Sequence, residues 1–119
     1  MVKKKILFVD DEAIVCLSCK RVLEMGGYHV DTCISGADAL KFLLENVVDI
    51  LFIDIMMPGI GGIEVIGKVK KNWPAVYIVA MTGYCVDEVL EKVRQLNPNF
   101  FLEKPFMPHE LLSIVESVI

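Results

Sequence analysis

The 119-residue chain carries 12 Lys and Arg against 16 Asp and Glu, a net charge of −4, and 55% of its residues are hydrophobic. That length builds one domain with a real core and not two, and an acidic balance without a basic stripe argues against nucleic-acid binding by this domain. A mean hydropathy of +0.55 is high for a soluble protein, but no apolar run nears the roughly 20 residues of a membrane span.

The chain opens on Met1-Val2-Lys3-Lys4-Lys5, and Lys5 to Val9 reads as a first strand. Asp10-Asp11-Glu12 cut the apolar run short. A signal peptide needs a longer run and a small-residue cleavage site, so the expected location is the cytoplasm, with no membrane contact. A helical pattern follows to about Met25, with Val15, Cys19 and Val22 on one face. Gly26-Gly27 ends it. Tyr28 to Cys33 reads as the second strand, and Ser35-Gly36-Ala37-Asp38 is a capping-box pattern. It opens a helix with Ala39, Leu40 and Leu43 inward.

In the third strand Ile50-Leu51-Phe52-Ile53 runs without a break into Asp54, and Pro58-Gly59 follow closely. Such a run reads as a strand buried on both faces. Met56 to Gly62 reads as a mobile loop, and Ile63, Ile66 and Val69 mark a third helix that Asn72-Trp73-Pro74 breaks. Ala75 to Ala80 is the fourth strand, ending at Met81-Thr82-Gly83. Val86, Val89, Leu90, Val93 and Leu96 fall on one helix face, which Asn97-Pro98 terminates. Asn99 to Leu102 is the fifth strand, with Glu103-Lys104-Pro105 after it. Pro108 starts a last helix with Leu111, Val115 and Val118 inward.

Strand and helix thus alternate five times, which implies an α/β fold: a five-stranded parallel sheet, doubly wound, with right-handed crossovers. The side chains suited to polar chemistry, Asp10, Asp11, Asp54, Thr82 and Lys104, each fall at or just after a strand end. All five converge at the C-terminal edge of the sheet, where open α/β sheets place their sites. Taken singly, each is an ordinary cap or loop charge, but five such placements together are not.

Three neighbouring carboxylates repel, and one pKa is forced upward unless a cation intervenes. Carboxylate oxygens suit Mg²⁺, with Mn²⁺ as an alternative. A carboxylate is also a nucleophile towards phosphorus and forms an aspartyl phosphate. The transferring group needs a metal and a cation such as Lys104 to balance its charge, and Thr82 offers a hydroxyl. The only histidines, His29 and His109, lie away from these motifs, so no Ser/His or Cys/His pair is expected. No Walker loop is present. Cys16-Leu17-Ser18-Cys19 has redox-pair spacing, but Cys16 falls about a turn inside a helix, not at the terminus that would activate it. With Cys33 and Cys85, these read as small buried hydrophobes.

Val9-Asp10-Asp11-Glu12, Ile53-Asp54-Ile55-Met56-Met57-Pro58-Gly59, Met81-Thr82-Gly83 and Lys104-Pro105-Phe106 together resemble the receiver domain of bacterial two-component response regulators, whose fold is the flavodoxin-like one of CheY. The resemblance covers nearly the whole chain and implies one receiver domain over residues 1–119. It implies Asp54 as phosphoacceptor, taking its phosphoryl group from a phosphohistidine on a sensor histidine kinase or phosphotransfer protein. It implies Mg²⁺ held by Asp10, Asp11, Asp54 and the backbone carbonyl of Met56, with Lys104 on the phosphoryl oxygens and Thr82 drawn towards them. Phe101 takes the family's switch-aromatic position, with permanent core packing as the other reading. The chain would catalyse only its own phosphotransfer and dephosphorylation. It would bind an output domain or downstream protein, and pair as a homodimer through the fourth helix, fifth strand and fifth helix.

Asn97-Pro98 departs from the Gly-Ala that often precedes the family's fifth strand. Met56 and Tyr84 fall at positions that, by the resemblance, modulate phosphate lifetime; both are bulky and not acidic, which implies slow self-dephosphorylation. Three rival readings stay open at this stage. A haloacid-dehalogenase-like phosphatase would show a second acid two residues after Asp54, where Met56 stands. An FMN carrier would meet repulsion from Asp10-Asp11-Glu12. A receiver-shaped module that is never phosphorylated would not need the full set of acids, Thr and Lys.

Overall fold

The computed structural model describes residues 4–83 and 87–118. Strands and helices alternate through the chain: β1 (Lys5–Val9), α1 (Ala13–Met25), β2 (His29–Cys33), α2 (Gly36–Glu45), β3 (Ile50–Asp54), α3 (Gly62–Asn72), β4 (Tyr77–Thr82), α4 (Asp87–Gln95), β5 (Phe100–Glu103) and α5 (Pro108–Ser117). The strands form one parallel sheet in the order β2-β1-β3-β4-β5. The chain steps one way from β1 to β2, then returns past β1 to β3 and continues outward. The direction reverses between β1 and β3, and a crevice opens outside the C-terminal ends of such a pair. Asp10 follows β1 and Asp54 ends β3, so the topology puts both acids at that crevice.

The apolar runs form strands because the sheet is covered twice. On one face Leu7, Val9, Leu51, Ile53, Ile78 and Ala80 pack with α2, α3 and Val93 of α4. On the other, Ile6, Phe8, Ile50, Phe52, Val79 and Met81 pack with α1 and α5. Every residue of β3 is buried, as its unbroken apolar run requires. The Phe8 and Phe52 rings stack with centroids 5.6 Å apart.

Several boundaries move from their expected places, each with a local cause. The β2 strand starts at His29, because the Tyr28 amide still donates to the Leu23 carbonyl at the end of α1. The β4 strand runs from Tyr77 to Thr82, because Val76 closes a turn onto the Trp73 carbonyl and Thr82 pairs with Glu103 of β5. The β5 strand begins at Phe100, since the Asn99 side chain accepts from the Ile78 amide where a backbone carbonyl would stand. In α1 the buried stripe is Cys16, Cys19 and Leu23, with Val15 and Val22 half-buried at its margin. Leu40 is likewise only half-buried.

The Ser35 hydroxyl accepts from the Asp38 amide at 3.1 Å and caps α2 as expected. Pro108 starts α5, where the Glu110 carboxylate also accepts from the Met107 amide. Gly27 at φ 95° and Asn97 at φ 55° take left-handed conformations just past α1 and α4, which Gly and Asn tolerate. Within the Met56 to Gly62 segment Met57 is buried in the core, as is Ile55 just before it, while the Met56 side chain is exposed. Val86 lies outside the described residues.

Candidate phosphoacceptor site

Lys104 ties the crevice together. It follows β5, and its backbone amide donates to the Thr82 carbonyl at 2.7 Å, so the ends of β4 and β5 are joined. Its ammonium donates to Asp10 Oδ2 at 2.6 Å and to Asp54 Oδ2 at 3.1 Å. The remaining carboxylate oxygens take backbone donors: Asp10 Oδ1 accepts from the Glu12 amide and Asp54 Oδ1 from the Met56 amide, both at 3.0 Å. Asp10 is fully buried and Asp54 nearly so. Buried carboxylates persist when paired and hydrogen-bonded in this way.

Burial pushes the Asp54 carboxyl above its usual value. The Met56 amide and the Lys104 ammonium work against this shift, and the Asp10 charge adds to it. Burial acts to lower Lys104, yet its bonds to Asp10 and Asp54 carry it above the usual lysine value. The two partners shift in directions that disagree about their shared bond, for a physical reason. The ammonium collects two carboxylates, while Asp54 has only a share of one ammonium and a like charge beside it.

Asp11 and Glu12 stand exposed at the rim, and their carboxylate oxygens lie within 4.8 Å of one another and of Asp10's. Asp54 joins this group through the ammonium. One ammonium does not neutralise four acids, and all the donors are carboxylate oxygens, a set that fits a hard divalent cation. Glu12 was not singled out as a ligand in the sequence, although it directly follows the two acids. Cys16 was missed as well: its S–H donates to the Asp10 carbonyl at 3.3 Å, with the Cys33 carbonyl at 3.7 Å. Only the buried face of α1 could have shown that.

Thr82 is buried at the end of β4, beside a cavity of about 440 Å³ that it lines with Gly83, Leu90, Arg94, Phe101 and Glu103. Phe101 is 38% exposed, so permanent core packing is overturned. It lies on the edge strand β5, where it shares the lining of that cavity with Leu90 and Arg94 of α4. Met56 supplies its amide to Asp54 and leaves its side chain exposed. Tyr84 lies outside the described residues. The thiols oppose redox chemistry, as burial raises Cys16 and pushes Cys19 to about 12 and Cys33 to about 11. An apolar groove of about 450 Å³ flanks the acids, lined by Ile14, Val15, Ser18, Pro105 and Phe106, with Lys104 and Glu12 at its edge. Among the described residues, no helix is long and apolar enough to cross a membrane.

Comparison with known proteins agrees with this geometry. The family described as response regulator receiver domain matches residues 6–116. The response regulator UvrY of Escherichia coli is 34% identical over 115 residues, covering 95% of this chain and 53% of UvrY. The response regulator SaeR of Staphylococcus aureus is 30% identical over 114 residues, covering 96% of this chain and 50% of SaeR. The chain therefore spans about half the length of the curated relatives it matches. A CheY-like receiver domain structure from Methanospirillum hungatei superposes with a TM-score of 0.92 at 27% identity, covering 97% of this chain and 92% of the other.

Proposed function

The chain belongs to the response regulator receiver family of two-component systems, and from that membership we propose that Asp54 is its phosphoacceptor. The observation that carries this reading is the Lys104 ammonium shared between two buried carboxylates at the sheet's switch point. Burial and a nearby like charge keep Asp54 from resting easily as an anion, which leaves it reactive, and the ammonium keeps it ionised and aimed.

The donor is a phosphohistidine on a sensor histidine kinase or phosphotransfer protein. An Asp54 carboxylate oxygen attacks phosphorus; the new P–O bond forms as the P–N bond breaks, and the imidazole leaves with the bonding pair. Lys104 then faces the transferred oxygens and Thr82 donates its hydroxyl to them. When bound, Mg²⁺ or Mn²⁺ at Asp10, Asp11, Asp54 and the Met56 carbonyl supplies the positive charge that the phosphoryl group requires. The apolar groove along α1 is the approach face for the donor protein, since Ile14 beside it is 80% exposed. The domain turns over no external substrate beyond its own phosphorylation and dephosphorylation. Its product is a changed affinity for an output domain or protein, or for a second copy through α4, β5 and α5, in the cytoplasm and without nucleic acid. Met56, bulky and not acidic two residues after the acceptor, favours a long-lived phosphoryl group.

Intact mass after incubation with acetyl phosphate and Mg²⁺ tests the reading. One phosphoryl group is expected on the wild type, and none on Asp54→Asn or in the absence of metal. A wild type that gains nothing would instead be a binding module with a receiver's shape.

A further inference from the structure

The segment from Ile55 to Gly61 supplies the amide that holds Asp54 Oδ1 and, on the reading above, a carbonyl ligand for the metal. Two glycines from different helices press on it. Gly62 opens α3, and a Cβ there would lie 2.5 Å from both the Asp54 carbonyl oxygen and the Ile55 Cα. Gly36 opens α2, a helix with no ligand in the site. A Cβ on Gly36 would come under 3.0 Å from the Ile60 carbonyl oxygen and 2.9 Å from Val65 Cγ2.

Gly36 does not have the left-handed φ that reserves a position for glycine, as Gly27 and Gly59 do. At the start of a helix, alanine would ordinarily be the better residue. Space therefore explains the glycine, and the atom occupying that space is backbone, which cannot rotate away. Val65 is fully buried and has nowhere to retreat. The loop is also fixed from beneath by the Ile55 amide on the Met81 carbonyl at 3.2 Å and by buried Ile55 and Met57. A methyl group on Gly36 must then displace either α2 or the Ile60 carbonyl, four residues from Met56.

We propose that Gly36 is a positioning residue for phosphorylation, holding the Ile60 carbonyl so that the Met56 backbone faces Asp54 and the metal. This inference rests on the receiver reading of Asp54. Outer-shell changes typically weaken metal affinity by 10- to 100-fold, so Gly36→Ala is expected to raise the half-saturating Mg²⁺ concentration for phosphoryl uptake by about tenfold. The uptake rate at saturating Mg²⁺ should recover. Gly67→Ala in α3 is the control, since its Cβ would meet only Leu96 Cδ2 at an ordinary 3.9 Å.

The experiment is phosphoryl uptake from acetyl phosphate, read by intact mass across an Mg²⁺ series, with an Mg²⁺ titration of the backbone amide resonances. A variant that is merely less stable loses amplitude without moving the Mg²⁺ midpoint. A folded Gly36→Ala with the wild-type midpoint overturns the proposal while leaving the receiver reading intact. A wild type that neither binds Mg²⁺ nor gains a phosphoryl group overturns the receiver reading itself. If Gly36→Ala does not fold, the wild-type titration decides. A Gly36 amide that shifts with the same midpoint as Met56 and Ile60 supports the proposal, and one that stays still while they move overturns it.

Discussion

A cysteine's neighbours decide whether its thiol is reactive, and in this chain they decide against it. Cys19 is buried on the inner face of α1, and burial pushes its thiol from 9.0 to about 12, with Cys16 and Asp10 adding to the shift. At pH 8 its thiolate fraction lies roughly a thousandfold below that of a free cysteine, a tenfold drop for each unit. Native protein treated with a thiol reagent, then digested and weighed, should carry no label on Cys19 or Cys33; both should label fully in denaturant. Rapid labelling of native Cys19 would reopen the redox reading of Cys16 and Cys19. The same shift sets a pH window. The folded state keeps its thiol protons where the unfolded chain releases them, so their stabilising contribution is complete below pH 9.0 and is lost as pH rises towards about 12. The urea midpoint should fall through that range.

Helix α1 shows how one element divides its duties. Cys16, Cys19 and Leu23 are buried, while Ile14 and Leu17 are exposed and Ile14 lines the apolar groove. Ile14→Asp should leave the unfolding free energy from urea titration within about 0.5 kcal/mol, as exposed substitutions do. It should leave uptake from acetyl phosphate unchanged and slow transfer from a phosphorylated donor protein, by about tenfold if it removes one interface anchor worth more than 1 kcal/mol. Equal slowing with both donors would place Ile14 in the chemistry, and no slowing with either would remove α1 from the docking face.

The order of elements was legible because each apolar run ends at a turn signal. The convergence of Asp10, Asp54, Thr82 and Lys104 was legible because parallel strands share one C-terminal edge. The inner face of α1 was less so, since Ile14, Leu17 and Met25 carry apolar side chains on around the helix from Cys16, Cys19 and Leu23, and only the sheet selects among them. Nor was the anchoring of the acceptor loop, because Gly59 and Gly61 suggest freedom whereas the buried side chains of Ile55 and Met57 remove it. The demand for glycine at position 36 comes from Ile60, far along the chain, and no local pattern shows it.

Across the whole molecule, the crevice and the β5 edge are mechanically joined. The Lys104 amide bonds the Thr82 carbonyl, so an ammonium drawn towards a phosphoryl group pulls on the end of β4. Phosphorylation adds a charge of about −1.5 to −2 and three acceptor oxygens, the kind of local change that biases a two-state element. If Phe101 is the switch residue that its position implies, the cavity it lines with Thr82 is the space an inward ring would fill. A modification shifts this equilibrium only by interacting differently with the two states, and couplings of this kind typically run about 1–3 kcal/mol. On that reading Phe101→Ala removes the moving part and leaves Asp10, Asp54 and Lys104 in place. The variant should therefore take up phosphate as the wild type does, measured by mass. Amide exchange over Phe100–Glu103 and Asp87–Gln95 should slow by about fivefold or more on phosphorylation of the wild type, the lower end of such couplings. In Phe101→Ala the two forms should exchange nearly alike. If the variant responds as fully as the wild type, the signal leaves the crevice by another route and Phe101 is an exposed ring on an edge strand. If the response is lost with uptake intact, the ring carries it, because the chemistry at Asp54 and the motion at β5 will have been separated by one side chain.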